Sequence, residues 1–163
     1  MNYTLSEIAR ICGGTFIGEN RRVTEVVTDS RSCGMPAAPL FVAMCGARHD
    51  SHDFVDGMYA RGVRAFLVER PLDERDGAGY VVVGNAIDAL QRLAADWRRR
   101  FGGTVVGIIG SNGKTVVKEW IAQTAPDGVK LFRSPRSYNS QLGAALSLLM
   151  IEGDERFALI EAG

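Results

Sequence analysis

A short glycine-rich segment constrains the fold of this chain more than any other feature. Residues 107–115 read GIIGSNGKT, between an apolar run at Thr104–Ile109 and a helical pattern that starts at Lys114. Where a buried strand passes directly into a helix, the first backbone N–H groups of the helix are free, and they point outward with the positive end of the helix dipole. This position therefore favours an anion-binding loop.

The residue types in this loop favour nucleotide phosphates. Gly110 and Gly113 let the backbone approach phosphate oxygens, Lys114 can bring a positive charge to the β- and γ-phosphates, and Thr115 can place a hydroxyl on Mg²⁺. The expected ATP phosphate-binding residues are Gly110, Ser111, Asn112, Gly113, Lys114 and Thr115. The general pattern GxxxxGK[ST] has glycine where Ile108 stands, so a turn that only joins a strand to a helix is the alternative.

Hydrophobic periodicity predicts an α/β protein with two domains. From Ala86 to about Arg100, apolar residues recur at three- and four-residue steps and predict a helix. Apolar strands at 104–109, 129–132 and 157–160 then alternate with helical segments, which favours a parallel sheet. The shorter, mixed elements before this point predict a small α/β domain. We place it at residues 1–85, followed by the first part of a phosphate-loop, parallel-sheet domain at 86–163.

Composition argues against several classes of partner. Nineteen basic and nineteen acidic side chains give a formal charge of zero, which offers no electrostatic footprint for nucleic acid or an anionic membrane. No apolar run approaches the roughly 20 residues of a spanning helix, and Glu7 and Arg10 stand where a signal peptide would be apolar. Cys12, Cys33 and Cys45 show no CxxC spacing and are expected to be buried thiols in a reducing compartment. We expect a cytoplasmic protein.

Several segments, in one order along the chain, resemble the Mur ligase family. GSNGKT is similar to the family's phosphate loop, GTNGKT. TDSRSCGMPAAPLFVAMCGARHDSHDF resembles its N-terminal segment, in which TDSR precedes LFVAL-G and DGHDF. RSYNSQLGAALSLL and LIEAG resemble the N-N-x-x-G-x-P-L and E-x-G segments of the branch that adds D-alanyl-D-alanine.

The resemblance implies a three-domain, ATP- and Mg²⁺-dependent amide ligase of peptidoglycan-precursor synthesis, and hence of cell-wall biogenesis. In that family ATP phosphorylates the terminal carboxylate of UDP-N-acetylmuramoyl-tripeptide, and the amine of D-alanyl-D-alanine attacks the acyl phosphate. A carboxylate is a poor electrophile until it carries a leaving group. The task of such an enzyme is therefore positioning and charge neutralisation.

The resemblance also implies roles for single residues. Lys114, Asn139 and Glu161 are the candidate catalytic residues, and Thr115 and Glu161 are the candidate Mg²⁺ ligands. For Asn139 the alternative is capping the next helix, which Ser140 could also do. For Glu161 the alternative is an exposed carboxylate near the chain end.

A second candidate site is the TDSR segment. Thr28, Asp29, Ser30 and Arg31 match the part of the family that binds the UDP moiety. Hydroxyl and guanidinium groups suit uracil carbonyls or diphosphate oxygens. The alternative is an Asx turn at the end of a strand.

The cluster His49, Asp50, His52 and Asp53 is weak evidence for zinc, because no third soft ligand is near in sequence. Asp53 is well placed to cap the following helix. We expect no metal here.

The predicted second domain has three strands, and the chain stops two residues past Glu161. We therefore expect an N-terminal fragment of a longer enzyme, inactive alone. We also expect the strand Phe157–Ile160 to expose an edge or face, with self-association or disorder there.

Two other functions stay open. One is another Mur or folylpolyglutamate-type amide ligase, although NSQLG and EAG fit the dipeptide-adding branch better. The other is a non-catalytic nucleotide-binding module.

Overall fold

The computed structural model describes residues 1–31, 36–46, 49–135 and 138–163. The chain divides into two compact units, Asn2–Leu93 and Ala94–Gly163. We refer to these as the first and second units. A helix, α3 below, begins in the first unit and ends in the second. The domain boundary predicted at residue 85 stays a prediction.

The first unit starts with a helix whose ends are set by local chemistry. Strand β1 (Tyr3–Thr4) leads into helix α1 (Leu5–Cys12). Thr4 accepts a hydrogen bond from the backbone of Glu7, and the Glu7 side chain accepts one from the backbone of Thr4. This reciprocal cap satisfies two N–H groups that a helix start leaves unpaired. Gly13, with φ of 71°, ends the helix in the left-handed conformation that glycine adopts readily.

A five-stranded mixed sheet forms the body of the first unit. Its order is β2–β7–β6–β5–β4; β2 pairs antiparallel with β7, and the other pairs are parallel. The strands are β2 (Thr15–Gly18), β4 (Glu25–Val27), β5 (Pro39–Val42), β6 (Ala65–Val68) and β7 (Gly79–Val82). The remaining elements are β3 (Arg22–Val23), which pairs with β1, a 3₁₀ turn (Ser51–Phe54) and helix α2 (Val55–Ala60).

Three aromatic rings lie side by side in the core of this sheet. The parallel register sets Phe41 opposite Phe66, and Phe66 opposite Tyr80. The Phe66 and Tyr80 rings stack with centroids 5.3 Å apart, and Phe41 meets Phe66 edge-on at 6.4 Å. All three are buried, so their apolar area contributes to holding the sheet together.

The second unit is a three-stranded parallel sheet with helices between its strands. After α3 (Ala86–Arg100), the elements are β8 (Thr104–Ile108), α4 (Lys114–Gln123), β9 (Leu131–Arg133), α5 (Gln141–Leu149) and β10 (Phe157–Glu161). The sheet order is β8–β10–β9, and both pairs are parallel. The predicted α/β class, with strands and helices alternating in the second half, is confirmed.

One expectation about this sheet is wrong. We expected the last strand to expose an edge, but β10 is the central strand and pairs along both sides. The crossover through α5 places it between the two earlier strands, so Ala158, Leu159 and Ile160 are buried. Among the described residues, the exposed large apolar side chains of the second unit lie on α4, at Val116, Val117, Trp120 and Ile121, and outside it at Ile109 and Met150.

The cysteine expectation holds for one of two described thiols. Cys12 is buried and its thiol donates to the Ala89 carbonyl, and burial raises its pKa to about 11 despite the nearby Arg92. Cys45 is exposed, so for this residue the expectation is wrong. It lies in the loop after β5, outside the packed core. Cys33 lies outside the described residues.

Among the described residues, no helix combines the length and the apolar character needed to cross a bilayer.

Gly79 gives a test of how closely the first sheet packs. A Cβ atom at this position would lie 2.0 Å from the Glu19 carbonyl oxygen and 2.5 Å from Leu5 Cδ1. Since a backbone atom cannot move aside easily, we expect Gly79→Ala to lower the free energy of unfolding by about 1–3 kcal/mol. Urea denaturation measures this loss.

Gly57→Ala is the matched control, because a Cβ at residue 57 of α2 would meet no atom within 4 Å. It should leave stability unchanged or raise it by about 0.5–1 kcal/mol. Equal effects of the two substitutions would contradict this account of the packing.

Candidate functional site

The glycine-rich segment forms the junction that the sequence predicts. Residues 109–113 connect β8 to α4, and Gly113 is the N-cap residue of α4. Gly110 has φ of 144° and Gly113 has φ of 77°, conformations that glycine adopts far more readily than other residues. No side chain among the described residues caps the helix, and its first turn contains no acidic residue. The N-terminus of α4 is thus open to an anionic ligand.

Lys114 folds back over this loop. Its Nζ donates a hydrogen bond to the Gly110 carbonyl oxygen at 2.5 Å. The side chain therefore closes a small ring with the loop that precedes it. Its ammonium group lies where a phosphate on the loop would need a counter-charge.

Thr115 and Glu161 meet at the end of the parallel sheet. The register pairs Glu161, the last residue of β10, with Ile108, the last residue of β8. The Thr115 hydroxyl donates to Glu161 Oε2 at 3.1 Å. The structure therefore brings together the two residues predicted to bind Mg²⁺. Glu161 is 1% exposed, so it is not a solvent-exposed carboxylate.

Sequence reasoning missed Lys118, which completes this cluster. Lys118 is 0% exposed; its Nζ lies 2.7 Å from Glu161 Oε1 and donates to the Ser134 carbonyl oxygen at 2.6 Å. The Ser134 hydroxyl accepts a hydrogen bond from the backbone N–H of Glu161 at 3.1 Å. The available signal was spacing: Lys118 follows Thr115 by three positions on a helix, so both side chains lie on one face.

Two opposing effects act on the Glu161 carboxylate. Burial alone would raise its pKa, but the ammonium group of Lys118 and the hydroxyl of Thr115 outweigh burial, and the pKa lies below its usual value. Lys118 Nζ lies 2.7 Å from Glu161 Oε1, as an ion pair rather than an aligned hydrogen bond. Its attraction to Lys118 is therefore mainly that of opposite charges. The carboxylate is ionised at neutral pH and can accept a cation.

Asn139 lies at the same end of the sheet. Its backbone carbonyl oxygen accepts a hydrogen bond from Gly163 N at 2.9 Å, two residues beyond Glu161. The helix-capping alternative does not apply to it, because Ser140 is the N-cap of α5 and its hydroxyl accepts from Gly143 N at 3.1 Å. Asn139 is exposed beside the cluster, and its role stays a prediction.

The TDSR segment lines a cavity within the first unit. Arg31 donates two hydrogen bonds to the Asp29 carboxylate, each 3.0 Å long, and its backbone N–H donates a third at 2.9 Å. The predicted Asx-type turn is therefore present, and Arg31 holds the pKa of Asp29 down to about 2. The turn does not exclude a binding role. The cavity has a volume of about 410 Å³ and is lined by Thr28, Asp29, Ser30, Arg31, His49, Ser51 and Phe54.

The histidine and aspartate cluster is explained by hydrogen bonds. His52 is buried; its Nε2 accepts from the Glu69 N–H at 3.0 Å, so Nδ1 carries the proton and donates to Asp50 at 2.5 Å. Cys45 and Asp50 lie close enough to share an ion with His52, but both ring nitrogens are already used, and Arg70 pairs with Asp50. The prediction that Asp53 caps the following helix is wrong, because a 3₁₀ turn precedes α2 and Asp50 caps that turn.

Comparison with known proteins gives one consistent set of matches. No family model matches the chain. UDP-N-acetylmuramoyl-tripeptide–D-alanyl-D-alanine ligase of Escherichia coli K12 is 34% identical over 163 residues, which are 100% of this chain and 35% of that protein. The chain spans about a third of the length of the curated relatives that it matches.

Solved structures agree with the sequence relatives. A ligase of Acinetobacter baumannii, described as UDP-N-acetylmuramoylalanyl-D-glutamyl-2,6-diaminopimelate–D-alanyl-D-alanyl ligase, matches with a TM-score of 0.88 and 26% identity over 100% of this chain and 36% of its own. MurF ligase from Thermotoga maritima, solved with ADP, matches with a TM-score of 0.73 and 32% identity over 85% of this chain and 32% of its own.

The sequence motifs, the fold and these matches agree: over 85–100% of its length the chain is similar to members of the Mur ligase family. Within that family, the relatives that it resembles are the D-alanyl-D-alanine-adding ligases known as MurF. The resemblance inferred from the sequence is confirmed.

The buried ion pair predicts a pH-dependent contribution to stability. Glu161→Gln would leave the buried Lys118 without its counter-charge, and we expect a loss of about 3 kcal/mol in the free energy of unfolding at neutral pH. Because the folded-state pKa of Glu161 is lowered, the wild-type stabilisation is complete above about pH 5 and declines as the pH falls through that lowered pKa. Urea denaturation between pH 3 and pH 8 measures both effects.

Asp154→Asn serves as the matched control. It breaks the pairing of Asp154 with Lys130, which is exposed to solvent, and such surface pairs contribute little. If Glu161→Gln changes stability no more than Asp154→Asn does, the ion pair does not stabilise the second unit.

Proposed function

We propose that this chain carries the ATP-phosphate site and the UDP-binding part of a cytoplasmic ligase that joins D-alanyl-D-alanine to UDP-N-acetylmuramoyl-tripeptide. The observation that carries the proposal is the cluster at the end of the parallel sheet. There the open N-terminus of α4, the Lys114 ammonium group and the Thr115–Glu161 pair lie together. The MurF relative from Thermotoga maritima was solved with ADP, which supports a nucleotide as the ligand.

The loop suits a polyphosphate for electrostatic reasons. Free N–H groups at the start of α4 offer hydrogen-bond donors, and the helix dipole adds partial positive charge. Lys114 adds a full positive charge, and its ammonium group could donate a hydrogen bond to a phosphate oxygen instead of to the Gly110 carbonyl. A β- or γ-phosphate on the loop would therefore be bound by donors that are already in place.

The residues beside the loop fit a magnesium ion. Mg²⁺ prefers oxygen ligands and usually keeps several waters, binding through one or two protein groups and substrate phosphates. Thr115 Oγ1 and Glu161 Oε2 are oxygen atoms 3.1 Å apart that could both face such an ion. When bound, the ion would neutralise phosphate charge during transfer.

The proposed reaction has two steps with balanced charge. The carboxylate of the tripeptide attacks the γ-phosphorus of ATP, which forms an acyl phosphate and releases ADP. The amine of D-alanyl-D-alanine then attacks the acyl carbon, the C–O bond breaks, and inorganic phosphate leaves with loss of a proton from the amine. Lys114 would orient the γ-phosphoryl group and stabilise its charge, and Asn139 would contact the substrate beside it.

The cavity of the first unit suits the UDP part of the substrate. Arg31 is almost fully exposed; two of its guanidinium nitrogens pair with Asp29, and the outward edge of the group could donate to diphosphate oxygens. Phe54 is 47% exposed at the cavity wall and offers an apolar face. The hydroxyls of Thr28 and Ser30 can hydrogen-bond to uracil or ribose.

Lys114→Ala tests the phosphate site. We expect the affinity of the 163-residue chain for Mg·ADP to fall at least tenfold, because a charge-assisted contact to phosphate is lost. Isothermal titration calorimetry measures the change. Lys130→Ala is the control, since this exposed lysine pairs with Asp154 away from the loop, and it should bind as the wild type does. Unchanged binding in Lys114→Ala, or no Mg·ADP binding by the wild-type chain, would contradict the proposal.

Arg31→Ala tests the UDP site independently. Loss of the guanidinium fork should weaken UDP binding by about tenfold. Arg22→Ala removes another exposed arginine of the first unit, which contacts Asn2, and should have no effect. Fluorescence-detected or calorimetric titration with UDP and with uridine separates diphosphate contacts from base contacts. Equal loss of uridine binding would place Arg31 at the base instead.

A further inference from the structure

We infer that Lys118 is a positioning residue that fixes the carboxylate of Glu161 beside Thr115, and this inference rests on the proposed function. The starting observation is a charged lysine side chain with no exposure to solvent. A buried ammonium group costs free energy unless it is paired and hydrogen-bonded. Lys118 meets that requirement through two specific partners, Ser134 and Glu161.

Ser134 holds both members of the pair. Its carbonyl oxygen accepts from Lys118 Nζ at 2.6 Å, and its hydroxyl accepts from Glu161 N at 3.1 Å. Ser134 is itself fixed, because its N–H donates to the Leu159 carbonyl oxygen on β10 at 2.9 Å. Ser134, which directly follows β9, therefore links α4 to β10 beside the candidate site.

The Glu161 carboxylate is consequently held at both oxygens. Lys118 lies 2.7 Å from Oε1, and the Thr115 hydroxyl donates to Oε2 at 3.1 Å. Either contact alone would leave the carboxylate free to rotate about its terminal bond. Together they fix the plane of the group and keep Oε2 next to the Thr115 hydroxyl.

Stability alone is a weak reason for this arrangement. Replacing a buried ion pair by apolar side chains of similar volume is often neutral or stabilising. The chain instead keeps a cation next to the carboxylate that is proposed to bind a metal ion. Supporting residues of this kind orient metal ligands and have large effects on metal affinity.

The experiment that tests this role of Lys118 compares ADP binding by the 163-residue chain with and without Mg²⁺. For each protein, the ratio of the two dissociation constants gives the contribution of the metal ion. In Lys118→Arg the positive charge remains, but the planar guanidinium cannot occupy the position of the single ammonium between Ser134 and Glu161. We expect the Mg²⁺-dependent ratio to fall at least fivefold, while ADP affinity without metal changes less than twofold.

Lys118→Met removes the charge as well, and we expect a fall of tenfold or more in the same ratio. Lys130→Met is the control for replacing a lysine by methionine in the second unit, and it should leave the ratio unchanged. Mn²⁺ titration followed by electron paramagnetic resonance, with and without ADP, reports metal binding directly and should rank the variants in the same order.

The outcomes separate this inference from the proposed function. If the wild-type chain shows no Mg²⁺-dependent ADP binding, the proposed function fails and this inference fails with it. If the wild type shows it and Lys118→Arg keeps the full ratio, only charge matters and the positioning role is wrong. Parallel loss of ADP affinity with and without metal, or unfolding of both variants in thermal denaturation, would make Lys118 a structural residue and overturn the inference.

Discussion

The parallel pairing of β8 with β10 is the constraint on which the second unit depends. Because the two strands run in the same direction and end in register, the residues that follow β8 lie beside the last residue of β10. The glycine loop and Glu161 therefore meet at one edge of the sheet, although they are far apart in the sequence. Ligand sites at the carboxyl ends of parallel strands are general in open α/β sheets, and here the register brings the carboxylate to the loop.

Charge burial then gives this edge its chemical character. A carboxylate at 1% exposure would tend to take up a proton if it stood alone. Lys118 and Thr115 keep it ionised, and Ser134 satisfies the lysine that does so. The result is a buried anion next to an exposed loop rich in hydrogen-bond donors. Such a place suits an anionic ligand on the loop together with a cation beside the carboxylate.

Local chemistry could be predicted from the sequence where it acts over a few residues. The reciprocal cap of Thr4 and Glu7 and the glycine at residue 13 set the ends of α1, and apolar periodicity set α3. Long-range pairing could be predicted only in part: the family resemblance placed Thr115 and Glu161 at one site, but it gave no sign of Lys118. A lysine in a helix after a polar loop is usually exposed, and only the tertiary position of Glu161 and Ser134 buries Lys118. The central position of β10 likewise depends on the sheet topology. The cap at Asp50 depends on a 3₁₀ turn, which hydrophobic periodicity does not indicate.

The departure of the loop from the general phosphate-loop pattern also follows from the pairing of strands. The pattern has glycine at the position of Ile108, but in this chain Ile108 is the last residue of β8, is buried, and pairs with Glu161. A glycine there would remove the buried side chain that Ile108 contributes at the end of the strand. The turn begins two residues later, at Gly110, where φ of 144° requires glycine. A shorter loop thus keeps the β8–β10 ladder intact up to the residue that presents the carboxylate, which makes the strand pairing and the phosphate loop parts of one arrangement.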